Sequence, residues 1–362
     1  MRKRIAIGFV LLSNSRDPQP STRISVLHML PFLKAAGYDP HILFEPETGN
    51  AEPDLPDLED VVAEKGIAAV YFQKVHGAGV VAVARRLASR GVRTLYGVCD
   101  FVDNEMAEAT DVTVVVTAFL RSLYREDLQQ RILVIHDGIE HPELHKTSHR
   151  EDRGSVRRPL RAVLVTSSDL NHLPEFESPP RFVEVIVVGR YPDEADRIAR
   201  FNWARWTFWK LPSLSERVRF LRFLFHPRIR RVQWSQETAY ELMMQSDIAI
   251  IPADRVLDPV PGSTISWWQV KSENRLTMKM SIGLPVIASP VPSYLPVIRN
   301  GENGYIASGS AEWRACFELL RDPRVRREVG EHARNIVAER FSLASQAAKL
   351  VAVFDRLLLV DR

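Results

Sequence analysis

The feature that most constrains this chain is a repeated alternation of short apolar runs with segments of helical periodicity. Helices are predicted near 22–36, 57–65 and 79–90, between β-branched and aromatic runs. These runs are RIAIGFVLL, PHILF, IAAVYFQ, VRTLYGV, DVTVVVT and RILVIHDG. Short apolar strands buried on both faces are typical of parallel sheets, and helices supply their connections. The first half of the chain is therefore predicted to form a mostly parallel sheet with helices on both faces.

The same architecture is repeated after a charged, aperiodic stretch, HPELHKTSHREDRGSVRRP. The second half then continues with LRAVLVT, FVEVIVVG, RRVQWS, SDIAIIP, GLPVIAS and GYIA, followed by helical sequence with a break near Phe341. A length of 362 residues suits two domains. We predict a first domain over 1–150, a second over 151–340, and a C-terminal helix over 341–362 that packs back on the first. Two doubly wound domains of this kind would face a central cleft and bind ligands at the carboxyl ends of their strands.

Composition places the chain among globular proteins, with 45% apolar and 26% charged residues. The two cysteines, Cys99 and Cys316, lie far apart in sequence and fit a reducing compartment rather than a disulfide framework. The start, MRKRIAIGFVLLSNS, imitates a signal peptide but has no small-residue cleavage site, so we interpret it as a strand. A cytoplasmic location is expected.

The stretch ENRLTMKMSIGLPVIASP predicts a helix that ends at a glycine and leads directly into a buried strand. Ser272 is a candidate N-cap, and Gly283 can end the helix in a left-handed conformation. Leu276, Met280 and Ile282 have the spacing of a core-facing stripe.

The beginning of that helix is a candidate anion site, because its free N–H groups and dipole favour negative charge. Lys271, Arg275 and Lys279 recur at four-residue spacing and would share one face of a helix. From spacing alone, a phosphate site and a solvated cationic face are both consistent with the pattern.

The longer stretch KSENRLTMKMSIGLPVIASPVPSYLPVIRNGENGYIA resembles the nucleotide-binding half of GT-B glycosyltransferases, in particular retaining family four. The matching elements are Gly283, Pro285 to Ser289, Gly301 and Gly304, and the likeness covers about 100 residues. In the first half, PSTRISVLHMLPFLKAAGYD resembles a subset of these enzymes that carry a Ser/Thr-Arg pair, here Thr22 and Arg23, where others have glycines.

The resemblance implies the fold class, an α/β GT-B protein of two Rossmann-like domains, and an activity. The enzyme would move a sugar from a nucleotide-diphosphate sugar to a hydroxyl of a glycan or lipid-linked acceptor, in bacterial surface polysaccharide or glycolipid synthesis. No Asp-x-Asp motif is present, which suits the metal-independent mode of the fold, so no cofactor and no metal are expected.

The resemblance also shows a departure from the family. The two glutamates that many members carry across this helix correspond here to Val270 and Met278, and Glu273 is a candidate replacement. The residues left for donor binding are Lys271, Ser272, Asn274, Arg275 and Lys279. Because the glutamates are missing, a non-catalytic GT-B domain that binds a glycan or protein, and a sugar-nucleotide epimerase, stay open as alternatives.

Candidate residues in the first domain lie at predicted strand ends or at the start of the first helix. Asp100 is the candidate catalytic group, positioning a hydroxyl or acting as a base, although capping of the next helix explains it equally well. Candidates for phosphate or acceptor binding are Ser21, Thr22, Arg23 and Lys74. Arg23 opposes the dipole of its own helix, which is unfavourable unless an anion lies nearby.

The segment 197–231 carries most of the basic character, with ten Lys or Arg and one acid, Glu216. Three tryptophans, Trp203, Trp206 and Trp209, are interleaved with its arginines. This composition suits an anionic membrane surface, and a peripheral membrane role is our hypothesis. Packing on its own domain or on a second subunit is the alternative, and no nucleic-acid motif supports that partner. His141, His145 and His149 lie in the linker and are not expected to bind metal.

Overall fold

The computed structural model of the chain describes residues 4–254 and 265–358. Within those residues, twelve strands form two parallel six-stranded sheets. The first sheet contains β1 (Ile5–Leu11), β2 (Tyr38–Phe44), β3 (Ala69–Gln73), β4 (Arg93–Val98), β5 (Val112–Val115) and β6 (Ile132–Val134). The second contains β7 (Leu160–Val165), β8 (Val183–Gly189), β9 (Ile229–Gln233), β10 (Ile248–Ile251), β11 (Val286–Ala288) and β12 (Tyr305–Ile306). The predicted architecture of two doubly wound sheets is confirmed.

The order of the strands fixes where each sheet can bind a ligand. The first sheet runs β2-β1-β3-β4-β5-β6 and the second runs β12-β11-β10-β7-β8-β9. The direction of winding therefore reverses between β1 and β3 in the first sheet, and between β7 and β10 in the second. A crevice opens outside the carboxyl ends of the strands at such a reversal.

The helices cover the sheets largely where the apolar periodicity placed them. Their bounds are Pro20–Thr22, Leu30–Ala35, Leu58–Glu64, Ala78–Ser89, Asn104–Ala109, Ala118–Ser122, Arg197–Lys210, Leu214–Phe225, Gln236–Met244, Asn274–Ser281, Gly309–Leu319, Pro323–Arg340 and Leu343–Leu358, with a π-turn at Arg23–Leu27 and a 3₁₀ turn at Glu126–Arg131. The continuous helix predicted over 22–36 was wrong. The π-turn interrupts it, and the following helix restarts with Pro31, which lacks the N–H that a continuing helix needs.

Two compact units make up the chain. The first comprises the described residues of 1–140, 260–274 and 340–362, and the second those of 141–259 and 275–339. The division falls at 140/141 rather than at the predicted 150/151, and the first unit also includes a short segment from the second half. Within the first unit, Leu350 and Phe354 of the last helix share a buried cluster with Phe9 and Tyr38 of the sheet.

The helix-to-strand junction at Gly283 has the predicted conformation. Leu276, Met280 and Ile282 are fully buried, and Gly283 has a φ of +85°, in the left-handed region. The backbone of this turn also lies against the helix Pro323–Arg340. A Cβ at Gly330 would stand 2.2 Å from the carbonyl oxygen of Gly283, so only glycine allows this approach.

Replacement of Gly330 by alanine should therefore destabilise the second unit by about 2–3 kcal/mol, because backbone must move to admit the methyl group. The matched control is Gly79→Ala, where a Cβ meets nothing within 4 Å and helix propensity favours alanine. Urea unfolding of both variants measures the difference. Equal stability of Gly330→Ala and the parent would show that the close approach is not required.

Candidate functional site

A buried polar network occupies the winding reversal of the first sheet. The side-chain oxygen of Gln73, at the end of β3, accepts hydrogen bonds from the backbone N–H of Leu12 at 3.1 Å and from the hydroxyl of Thr22 at 2.9 Å. The hydroxyl of Ser13 donates to Thr22 at 2.9 Å. Thr22 is fully buried. Thr22 ties the first helix to the ends of β1 and β3, and its assignment to a phosphate or acceptor cleft stays a prediction.

Two of the predicted residues, Lys74 and Asp100, form an ion pair at the ends of β3 and β4. The ammonium nitrogen of Lys74 lies 2.8 Å from a carboxylate oxygen of Asp100. Lys74 has a φ of +56°, a strained conformation for a residue with a side chain, and its N–H donates to the carbonyl of Gly97. Burial alone lowers the pKa of Lys74, but interactions with its neighbours, including the ion pair with Asp100, outweigh burial and raise it, so Lys74 stays charged.

Arg23 has an internal partner. Its guanidinium donates two hydrogen bonds to the carboxylate of Glu140, at 2.6 and 3.2 Å, and only 5% of the Glu140 side chain is exposed. The negative charge expected near Arg23, at the start of the first helix, is thus supplied by the carboxylate of Glu140. This fork geometry gives Arg23 a partner within the protein, and its assignment to phosphate or acceptor binding stays a prediction.

A half-buried histidine and a buried carboxylate are paired beyond the end of β6. The Nδ1 atom of His136 is 2.5 Å from a carboxylate oxygen of Glu273, whose side chain is 2% exposed. The second carboxylate oxygen of Glu273 has no hydrogen-bond partner among the described residues. A buried acceptor without a donor is costly, and such groups concentrate at functional sites.

Asp137 adds a further buried carboxyl group to this cluster. Burial and then the nearby charge of Glu273 raise the pKa of Asp137 to about 7, while a hydrogen bond from Ser272 acts in the opposite direction. At neutral pH this carboxyl group is therefore partly protonated.

These groups surround a narrow cavity at the strand ends of the first unit. The lining includes Ser21, Lys74, Cys99 and His136, with Tyr71 and Leu350 on the apolar side. Burial raises the pKa of the Cys99 thiol, which keeps it protonated and unreactive. Of the predicted residues, Ser21 and Lys74 line this cavity, and Asp100 is paired with Lys74.

In the second unit, Arg275 reaches the winding reversal of the second sheet. It lies in the first turn of the helix Asn274–Ser281, and its guanidinium donates to the hydroxyl of Ser167 at 2.8 Å. Ser167 follows the end of β7, the strand at which the winding reverses. Arg275 therefore lies where a doubly wound sheet binds its ligand.

Lys279 lies one turn further along the same helix and is fully buried. Its ammonium group donates to the carbonyl oxygen of Arg275 at 3.0 Å. Burial, with a smaller contribution from the charge of Arg275, lowers the pKa of Lys279 to about 7. A buried lysine beside a second cation is unfavourable without an anion, and this is the type of perturbation found at functional sites.

The other predicted donor residues lie outside this helix or at its start. The helix begins at Asn274, so Lys271 is not on it, and the expected row of three cations on one helical face was wrong. The ammonium group of Lys271 lies 5.6 Å from the centre of the Trp267 ring. Ser272 bonds to Asp137 and accepts the N–H of Asn274 at 3.4 Å. Like Glu273, the predicted donor residues Lys271, Ser272 and Asn274 belong to the first unit.

Sequence reasoning missed several residues of the site: Ser13, Gln73, His136, Asp137, Glu140 and Ser167. The signal available for His136 and Asp137 was their position directly after the apolar run RILVI, since polar residues at strand ends of a parallel sheet meet at one edge. Gln73, at the end of β3, carries the same signal, whereas Glu140 carries none, because its partner Arg23 is 117 residues away.

Two further properties of the described residues bear on the site. Over 4–254 and 265–358, no cluster of three or more His, Cys, Asp or Glu has the arrangement of a metal site. Across the same ranges, no helix combines the length and apolar character needed to span a bilayer.

Comparison with known proteins identifies the fold. A scan against protein-family models found no match, and a search of curated proteins found none. Among solved structures, Anabaena HepE in complex with UDP and glucose is 12% identical, with a TM-score of 0.66, over 98% of this chain and 100% of its own. A glycosyltransferase from Rickettsia africae is 13% identical, with a TM-score of 0.68, over 98% and 99% of the two chains. Sucrose-phosphate synthase from Thermosynechococcus elongatus is 13% identical, with a TM-score of 0.67, over 99% and 100%. The chain has the GT-B fold of two Rossmann-like domains, as predicted.

Asp137 supplies a test of the buried cluster. Because its pKa is raised in the folded state, the protein loses stability as pH rises from about 4 to about 7, where the unfolded chain is already deprotonated. Asp137→Asn removes that loss. Relative to the parent, the variant should gain about 2 kcal/mol between pH 5 and pH 8, measured by urea unfolding.

The control is Asp127→Asn, at an exposed carboxylate whose pKa is lowered by the hydrogen bond from Arg125. The effect of Asp127→Asn should be small and of opposite sign, so that this variant is slightly less stable than the parent above pH 4. A pH-independent difference between Asp137→Asn and the parent would show that Asp137 is not held in the way the structure indicates.

Proposed function

We propose that this chain is a glycosyltransferase that moves a sugar from a nucleotide-diphosphate sugar to a hydroxyl of a glycan or lipid-linked acceptor. The proposal includes retention of configuration, independence of metal ions, and a role at the inner face of the membrane in bacterial surface polysaccharide or glycolipid synthesis. The fold and its likeness to structures that bind UDP and glucose support the activity, and the resemblance of the sequence to family four supports the finer assignments.

The observation that carries the proposal is the pair of cations at the winding reversal of the second sheet. Lys279 is fully buried, with a hydrogen bond to the carbonyl of Arg275, and its pKa is about 7. A diphosphate bound beside Arg275 and Ser167 would supply the missing negative charge. The dipole of this helix, whose positive end lies at Asn274, favours the same ligand.

The proposed chemistry needs a stabilised leaving group and an oriented acceptor. The bond between the anomeric carbon and the diphosphate oxygen breaks, and Arg275 and Lys279 stabilise the charge that appears on the leaving diphosphate. The acceptor oxygen forms the new bond to the anomeric carbon, and its proton passes to the departing phosphate oxygen. No metal ion is required for this charge balance.

The strand ends of the first unit are assigned to the acceptor. The ion pair of Lys74 and Asp100 offers both a donor and an acceptor for a hydroxyl, and the backbone N–H of Lys74 is fixed by its hydrogen bond to the carbonyl of Gly97. The unpartnered oxygen of Glu273 is a second acceptor for a sugar hydroxyl. In this assignment Asp100 positions the reacting hydroxyl, as its predicted catalytic role requires.

Donor binding provides the test, because the charge of Lys279 makes it depend on pH. A diphosphate that stabilises the charged amine should bind with proton uptake, so affinity should fall by up to tenfold per pH unit above about 7. Calorimetric titration with UDP-, GDP- and ADP-glucose from pH 6 to 9 measures this for the donor that binds. Nucleotide sugars are preferred over free nucleotides since their phosphates do not titrate in this range.

Three variants separate the contributions. Arg275→Ala should weaken binding at least tenfold and keep the pH dependence, whereas Lys279→Met should weaken binding and abolish that dependence. Arg324→Ala is the control, at an exposed arginine of the same unit, and should bind as the parent does. Parent-like affinity and pH dependence in both site variants would refute the donor assignment.

A further inference from the structure

Two helices between β8 and β9, Arg197–Lys210 and Leu214–Phe225, form a surface that is rich in exposed apolar residues. We call it the two-helix surface. Not one residue of the first helix is buried. Both helices have well-formed beginnings, since Asp196 caps the first and Ser213 with Glu216 forms a capping box on the second. The exposed apolar side chains therefore stand on regular, defined helices.

The second helix has two apolar faces. Phe220 and Phe223 are buried against the sheet, as expected for an amphipathic helix. Leu214, Val218, Leu221 and Phe225 follow the spacing i, i+4, i+7, i+11 and form one stripe, and all four are exposed, with Leu214 at 76% and Phe225 at 77%. Packing within the protein does not account for this second stripe.

The first helix carries a similar stripe beside an anchoring tryptophan. Trp203 packs edge-on against Tyr191 and Phe220, and its indole N–H donates to Asp169 at 3.0 Å. Trp206 and Trp209, in contrast, are 63% and 66% exposed, and Ile198 and Phe201 of the same helix are exposed as well. The predicted cluster of three tryptophans therefore separates into one structural residue and two surface residues.

Cations border both stripes. Residues 197–226 contain seven Lys or Arg and one acid, Glu216. The exposed cations are Arg197, Arg205, Lys210, Arg219 and Arg222. Lys210 lies over the Trp206 ring at 5.7 Å, and Arg217 lies over the Trp209 ring at 5.5 Å. Aromatic rings with adjacent cations suit the interface of an anionic bilayer, where rings lie among the headgroups and cations meet lipid phosphates.

We propose that the two-helix surface docks the protein on an anionic lipid bilayer. A second copy of this chain fits less well, because pairing the same surface would oppose like charges. The cations could bind the phosphates of a nucleic acid, but that partner would leave the aliphatic stripe of Leu214, Val218 and Leu221 without a role. Docking is independent of the proposed activity, and only its use for a lipid-linked acceptor rests on that activity.

Vesicle co-sedimentation of the full chain tests the proposal. The parent should bind vesicles of phosphatidylcholine with 30% phosphatidylglycerol at about 0.1 M salt, bind pure phosphatidylcholine at least tenfold more weakly, and lose affinity as salt rises. Trp209→Ser/Phe225→Ser should reduce anionic-vesicle affinity at least tenfold by removing apolar insertion. Arg205→Glu/Arg222→Glu should also reduce anionic-vesicle affinity at least tenfold, because the reversed charges repel the anionic lipids.

Matched controls exist in the same unit. Leu295→Ser/Leu319→Ser removes two leucines of about half exposure elsewhere, and Arg299→Glu/Arg324→Glu reverses two exposed arginines. Both controls should bind vesicles as the parent does. No vesicle binding by the parent, equal loss in site and control variants, or binding to duplex DNA in place of vesicles would each overturn the proposal. Release of nucleotide from a donor sugar without vesicles should be unchanged in all four variants, which separates docking from activity.

Discussion

A parallel sheet is stable in water when both of its faces are covered, and in the first unit the last helix of the chain supplies part of that cover. Leu350 and Phe354 of this helix pack with Phe9 and Tyr38, and the Tyr38 hydroxyl donates to Asp355 at 2.5 Å. With the faces occupied by helices, ligand chemistry is restricted to the strand ends. The polar groups of both units are concentrated there.

Local sequence patterns predicted most of the fold but only part of the site. The strands and the Gly283 turn could be predicted because apolar runs and a helix-ending glycine express their structure within a few residues. The partner of Arg23 could not, since Glu140 lies 117 positions away and the pairing depends on the finished sheet. Lys271 was misplaced because four-residue spacing indicates a shared face only if the helix has already begun.

The buried charges of the two units differ in how well they are compensated. Arg23 and Glu140 form a fork with two hydrogen bonds, which satisfies both groups and fixes the first helix. Burial, and after it a nearby like charge, shifts the pKa of Lys279 and of Asp137 to about 7, the like charges being those of Arg275 and Glu273. Uncompensated groups cost stability, and a protein keeps them most readily where a ligand completes them. This contrast distinguishes Lys279, as a candidate ligand-binding group, from the cations that hold the fold.

The proposed glycosyltransferase activity requires that the protein cleaves a nucleotide-diphosphate sugar. The most direct measurement is the release of nucleoside diphosphate from UDP-, GDP- and ADP-sugars, with and without bacterial membranes as a source of acceptor. We expect release of nucleoside diphosphate from at least one donor, with faster release when acceptor is present and strongly reduced release in Lys279→Met. Binding of a donor with no release of nucleoside diphosphate under any of these conditions would contradict it and would instead indicate a non-catalytic GT-B protein.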